Sequence, residues 1–459
     1  MGGLVSTMGI ALGALEAQQA GMEVTTNNIA NLDTPGYSRE RLVVEEADPF
    51  VQNGIALGDG VNVTGVESLR DTLLNLQVND EIQQQSKSQT YVNTMNQVQT
   101  LFPDDTTGIG QSISAFFQSI NSLSTDPADP TLRESVLSAA GNMASAFNTT
   151  ATQLSSTRQQ LNQVVDQQVQ QINQLSSQVA ALNVQITGAG TSSNQSTGSL
   201  LDQRDSLVQQ LSQLVDLSQI QDGNSLTLTT QQGAALVVGG QSYALSTENG
   251  SDGTQHVFSA QGNDITGEIS GGELGGTLEA RDQTIPDLQT QLDSLASGLV
   301  QALNSANAMG TDLNGNPGGN LFDPVSGAGA AANMTLAISD PSLIAASSDG
   351  TSGSNGNLAN FSAVANQAVA DGETPSDCYA DLVFQAGTAV ENGNAELTAS
   401  GAMLQQLQQQ QSAVSGVSLD EEASNLLLYQ RGYQAAAEAV TAVSQMLETA
   451  INMGAVESS

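Results

Sequence analysis

The sequence predicts a mainly α-helical fold with an antiparallel β subdomain inserted into it, on three observations. Apolar residues recur in alternating steps of three and four at both chain ends and along a long central stretch, the spacing that lays one helix face against a partner. Between residues 218 and 276 that rhythm gives way to short alternating runs separated by Asp-Gly, Gly-Gly and Asn-Gly turns. The seams leave before the β part and return after it. The N- and C-terminal parts are therefore expected to build one long helical bundle together, with coiled-coil helices at the two ends. At 459 residues the chain can hold two or three domains, each with a core of its own.

The first seam runs Leu4, Met8, Ala11, Leu15, Gln18, Met22, Thr25, Ile29, broken only by Gln18 and Thr25. Residues 1 to 33 carry only Glu16, Glu23 and Asp33 as charges, and the flanks are Ala, Gly, Thr and Gln. A solitary surface helix would show a charged outer face. This one is written to touch neighbours on several sides. It stops in Asn27, Asn28 and Asn31, whose amides compete for backbone hydrogen bonds. Pro35 and Gly36 suit the centre of a type II turn, with Thr34 and Tyr37 outside. Beyond it "YSRERLVV" alternates as a strand does.

Asp129 can cap a helix that has Pro130 at its first position. Its seam follows as Leu154, Arg158, Leu161, Val165, Gln168, Ile172, Leu175, Val179, Leu182, Ile186, a long rod. "SLLDQRDSLVQQLSQLVDL" reads as a second amphipathic helix, and "NSLTLTT", "AALVVGG", "HVFSA" and "DITGEIS" as strands. Helix is expected to resume at Thr284, with Ile285, Leu288, Leu292, Leu295, Leu299 and Ala302 on one face. A Gly/Asn-rich connector and one strand, "NMTLAIS", come next, then mostly helix from about residue 357 to 453. The last seam is Leu419, Ala423, Leu426, Gln430, Tyr433, Ala437, Val440, Ser444, Leu447, Ile451. Ser418 followed by Glu421 reads as a capping box, and Asp420 and Glu422 favour the helix dipole. The expected division is 1–33 with 419–459 as terminal helices, 34–217 with 277–418 as a helical rod, and 218–276 as the β insert.

Charge excludes whole classes of function. With 47 acids against nine Lys and Arg, a formal −38, the chain is no nucleic-acid binder, because that affinity comes from neutralised phosphates. Binding to anionic membrane surfaces fails for the same reason, and no apolar run reaches the length that spans a bilayer. Nine of the acids fall in residues 1–33 and 419–459, so repulsion is concentrated in the middle. One cysteine, Cys378, and one histidine, His256, allow neither a disulfide framework nor a Cys/His metal site. The opening stretch is mildly apolar, yet the first cation is Arg39, so a Sec signal is not expected.

Catalytic constellations are missing. One lysine, Lys87, in "QQQSKSQ" makes no Walker motif, and one histidine makes no H-E-x-x-H. His256 reads as a strand residue beside a turn rather than a triad base. The loop "DLNGNPGGNLFD" has Asp312, Asn314 and Asn316 at alternating positions, but Pro317 stands where a calcium loop needs glycine. No cofactor or metal is expected, and no enzyme, although a carboxylate pair of glycosidase type is not excluded by counting.

The terminal helices raise an energetic problem. Burying a Leu or Met contributes roughly 1.5 to 3 kcal/mol, while fixing a residue's backbone costs roughly 1 to 2 kcal/mol. Strong apolar residues are sparse here, so one pair of such helices gains too little alone. More partners are needed.

The residues that carry these features also carry a resemblance. "TTNNIANLDTPGYSRE" resembles the N-terminal signature of the flagellar rod, hook and hook-associated protein family, and "SGVSLDEEASNLLLYQRGYQAAAEAVTAVSQMLETAIN" is similar to the C-terminal signature of its hook-associated members. The likeness continues through "LLDQRDSLVQQLSQLV", "LGGTLEARD", "GTDLNGNPGGNLF" and "ISDPSLIAAS". Larger members carry an extra β domain after the third of these, where this chain has a short Gly/Ala-rich passage. The resemblance implies a structural subunit of a junction ring between hook and filament, a homo-oligomer in a tubular lattice. It implies the hook protein and a second junction protein as neighbours, unfolded export through the flagellar type III apparatus, and a cytoplasmic chaperone on the C-terminal helix. Leu4, Met8, Leu15, Met22, Ile29, Leu419, Leu426, Tyr433, Val440, Leu447 and Ile451 are then the expected assembly interface. The terminal segments are expected to stay disordered in the free subunit and to fold against each other and adjacent subunits in the lattice. A hook or rod protein, and a non-flagellar secreted filament or adhesin subunit, are the alternatives.

Overall fold

The computed structural model describes residues 2–52, 55–103, 107–190, 197–251 and 253–456. Helix α1 (Gly2–Ala30) leads through a turn into β1 (Glu40–Glu46), a small hairpin of β2 (Phe50–Gln52) and β3 (Ile55–Leu57), and β4 (Val61–Ser68). β1 and β4 pair antiparallel; the register slips between Val43 and Val44. There Thr64 is the extra residue, and its hydroxyl donates to the Val43 carbonyl. Asp71 caps α2 (Thr72–Gln99) by accepting from the Leu74 N–H at 3.0 Å. Next come α3 (Gly108–Leu123) and α4 (Pro130–Gly190), a rod of 61 residues. The Asp129 carboxylate accepts from the N–H groups of Thr131 and Leu132, as the Asp-Pro start predicts.

α5 (Gly198–Leu214) runs back along α4 and delivers the chain to the β insert. There β5 (Ser218–Asp222), β6 (Ser225–Thr229), β7 (Ala235–Val238) and β8 (Gln241–Ser242) form a four-stranded antiparallel meander. β9 (Ser246–Asn249) and β10 (Gln255–Phe258) form a separate hairpin. α6 (Gly272–Glu279) continues through a wider turn, Ala280–Thr284, into α7 (Ile285–Ala308). α8 (Leu358–Val364), α9 (Pro375–Ser415) and α10 (Leu419–Val456) complete the chain.

Three local expectations fail for identifiable reasons. Helix resumes at Gly272, twelve residues before Thr284, because "GGELGGT" is a packing surface and not a loop. A Cβ on Gly276 would lie 2.3 Å from the Lys87 carbonyl oxygen, so only glycine lets α6 lie on α2. "DITGEIS" is no strand: the Asp264 carboxylate takes the Thr266 N–H, which closes a tight turn with Ile265 and Ile269 buried. "NMTLAIS" alternates correctly, but among the described residues it finds no partner strand and makes a single bridge, between Leu336 and Phe322.

Burial thins toward the chain ends. One core gathers the end of α2, α3, the first half of α4, α7 and α9 around Phe116, Phe147, Leu295 and Leu382. A second joins the rest of α4 to α5, α6 and the β insert around Val165, Leu211, Leu228 and Val237. Nearer the termini α2 and α9 share only Leu74, Val78, Ile82, Leu404 and Leu407. Among the described residues, none from α1 or α10 joins any of these clusters.

Candidate assembly interface

α1 and α10 pack on each other as an antiparallel pair. Gly21 lies against the Tyr429 ring, and one turn earlier Gln18 lies against Gly432. The pair's buried centre is made of small and polar residues: Ala11, Ala17, Gly21, Thr25 and Asn28 on α1, Glu422, Ala436 and Val443 on α10. The apolar residues named from the seams flank that centre. Leu4, Met8, Leu15, Met22, Ile29, Leu426, Tyr433, Val440 and Leu447 are half-buried, while Leu419 and Ile451 stay 53% and 58% exposed. The contact face is thus rotated from the expected one, because glycine and alanine let the backbones approach where leucine would hold them apart. Val5, Leu12, Leu427, Leu428 and Met446 are exposed as well.

The Asn-rich turn is the clasp at the base of this pair. Asn28 is fully buried, and its amide mimics a β-strand partner: Nδ2 donates to the Glu40 carbonyl at 2.8 Å and Oδ1 accepts from the Glu40 N–H at 2.9 Å. The same Oδ1 accepts from the Tyr37 hydroxyl at 2.8 Å. Asn31 donates to Asn27 and accepts from Thr34, holding the helix end. The Tyr37 N–H bonds to the Thr34 carbonyl around Pro35 and Gly36, with Gly36 at φ +78°, the type II turn the sequence predicts. Burial raises the Tyr37 pKa well above its usual value, and Glu40, Asp202 and Glu422 raise it further, so the hydroxyl keeps its proton as a donor.

Arg39 then joins the two chain ends. Its Nε reaches Glu422 and its Nη1 reaches Glu421, each at 2.7 Å, and its N–H donates to the Ser415 carbonyl at 2.9 Å. Glu421, expected to close a capping box with Ser418, turns to this cation, and the Ser418 carbonyl instead accepts the Glu422 N–H. Below, Arg70 ties the foot of β4 to α5 through Asp202 at 2.6 Å, Asp205, and the Gly198 carbonyl. Burial raises the pKa of both aspartates, and Arg70 opposes it. Sequence reasoning missed Arg39, Glu422, Arg70, Asp202 and Asp205. The available signal was scarcity: with nine cations in 459 residues, each arginine has many carboxylates to choose from.

The loop with Asp312 uses its carboxylate to hold the N–H groups of Asn314 and Asn316. His256 lies on β10 against Asp264, 2.6 Å away. Neither belongs to the clasp.

Paired terminal helices clasped above a long helical rod fit the resemblance to flagellar axial proteins that the two terminal sequences carry, and comparison with known proteins supports it. A family model for the flagella basal body rod protein matches residues 8–37, and one for the flagellar basal body rod FlgEFG protein C-terminal matches 408–453. The flagellar hook-associated protein FlgK helical domain matches residues 95–322. Flagellar hook-associated protein 1 of Salmonella typhimurium is 26% identical, over 96% of this chain and 99% of its own length. That of Bacillus subtilis is 27% identical, over 96% of each. The Salmonella alignment spans 549 positions against the 459 residues here, so that relative carries sequence without a counterpart in this chain. The flagellar hook junction protein FlgK of Burkholderia pseudomallei has the same fold, with a TM-score of 0.67, 21% identity, and coverage of 74% of this chain and all of that one. Over nearly its whole length the chain is similar to flagellar hook-associated proteins of the FlgK type. It is a structural protein and not an enzyme.

Proposed function

We propose that this chain is a subunit of the junction between flagellar hook and filament, polymerising into a tubular ring through residues 1–33 and 419–459. The observation that carries this is the terminal pair. It lies outside the core clusters and keeps Val5, Leu12, Leu427, Leu428, Met446 and Ile451 exposed, apolar side chains left uncovered along two helices. Neighbouring copies would cover those side chains and supply the burial a single pair lacks. The clasp at Asn28 and Arg39 fixes the pair to the rod, so that copies meet at one angle. The rod and β insert form the outer body of the subunit.

The hook protein and a second junction protein bound the ring on its two sides. Before assembly the subunit passes through the flagellar type III apparatus unfolded, with a cytoplasmic chaperone holding α10. Among the described residues no helix is long and apolar enough to cross a membrane. Electron microscopy of flagella carrying the gold-labelled protein tests the reading. Label confined to the boundary between hook and filament supports it; label along the hook or rod would assign the chain to another axial position.

A further inference from the structure

Resting on the reading that copies pack around their terminal helices, we infer that Arg431 forms an ion pair with Glu16 and Glu23 of a second copy. Arg431 is the sole Lys or Arg in residues 1–33 and 419–459. It is exposed on α10, and among the described residues no carboxylate lies within ion-pair distance of it. Of the other exposed or half-buried cations, Arg39, Arg41, Arg70 and Lys87 have an acidic partner within the chain, and Arg158 spends its guanidinium on the Arg281 carbonyl and the Gln289 side chain. In a protein of charge −38, a cation left without such partners is held for something else.

The stripes on the two helices are complementary. Leu427, Leu428, Arg431 and Ala435 share the exposed face of α10; Val5, Leu12, Glu16, Gln19 and Glu23 share that of α1. Each face is apolar around a charge of one sign. The register that sets Gly21 against Tyr429 and Gln18 against Gly432 puts Arg431 at the height of Gln19, midway between Glu16 and Glu23. A copy standing alongside at the same height therefore offers its two carboxylates level with this guanidinium. Among the described residues Glu23 receives a single side-chain bond within its own chain, from Gln19 at 3.2 Å. Desolvated between helices, such a pair steers lateral contact and fixes axial register.

The test uses the full-length protein in cells lacking their own copy, measuring how much copurifies with isolated hook–basal bodies. Arg431→Glu should lower incorporation about tenfold, since like charges would then face each other. Adding Glu16→Arg and Glu23→Arg should restore it to within about twofold of the original. The purified Arg431→Glu protein should melt as the unaltered one does. Unchanged incorporation of Arg431→Glu, no recovery in the triple variant, or a lowered melting temperature overturns the ion pair. Absence of the unaltered protein from hooks overturns the junction reading itself, and this inference with it.

Discussion

Replacing Arg39 by Gln removes the cation that, among the described residues, ties the two chain ends together. The Glu422 side chain is 2% exposed, so the substitution leaves a carboxylate buried beside a neutral amide. Removing one partner of a buried pair costs about 3 to 5 kcal/mol, most of it the stranded charge. The contact with Glu421, whose side chain is 61% exposed, adds at most about 1 kcal/mol. The loss is local, because the core clusters lie elsewhere. Native-state hydrogen exchange reads it at the Arg39 and Glu422 amides, which donate to Ser415 and Ser418. A loss of about 3 kcal/mol accelerates exchange there by about a hundredfold, while amides in the middle of α4 keep their protection. Combining Arg39→Gln with Glu422→Gln should recover at least half the loss, since no charge is then stranded. Unchanged exchange in Arg39→Gln, or a double variant as open as the single one, refutes the clasp.

Other perturbations probe other joints. Asn28→Ala deletes three hydrogen bonds and should open the turn by about 3 kcal/mol, seen as faster exchange of the Glu40 amide. Gly276→Ala forces a methyl against the Lys87 carbonyl and should lower rod stability by about 1 to 3 kcal/mol in denaturant titration. Gly9→Ala, with nothing within 4 Å, should be neutral or slightly stabilising. Burial raises the pKa of Asp216, against the bonds from Ser270, so the folded chain holds that proton more tightly than the unfolded one. Stability from this group therefore grows as pH falls through the folded pKa, is complete below the ordinary aspartate value, and is lost on return to neutral. Asp216→Asn should flatten that part of the profile, measured as denaturation midpoints between neutral and mildly acidic pH.

How legible each element was depended on where its burial comes from. Leu154 to Ile186 could be read because this chain's own core covers that seam, and most of its apolar side chains are fully buried. The Asp129–Pro130 start and the Thr34–Tyr37 turn were legible because their chemistry is local. The α1–α10 contact was harder, since its centre is Ala17, Gly21 and Thr25, residues with no hydrophobic signal. Gly272, Gly275 and Gly276 looked like a loop because sequence does not distinguish a flexible glycine from one that admits a neighbouring backbone. Arg39 and Glu422 are 383 residues apart, and no periodicity links them. Asn28 was read only as a helix stop; its pairing with Glu40 depends on where the strand lies after the turn.

The account rests on α1 and α10 drawing their stability from other copies. Hydrogen exchange of the same protein, free in dilute solution and built into isolated flagellar junctions, tests this most directly. The expected result is rapid exchange along α1 and α10 outside the clasp at Asn28, Arg39 and Glu422 in the free subunit and strong protection after assembly, with α4 and α7 protected in both. Terminal helices as protected as α4 in the dilute monomer would contradict it.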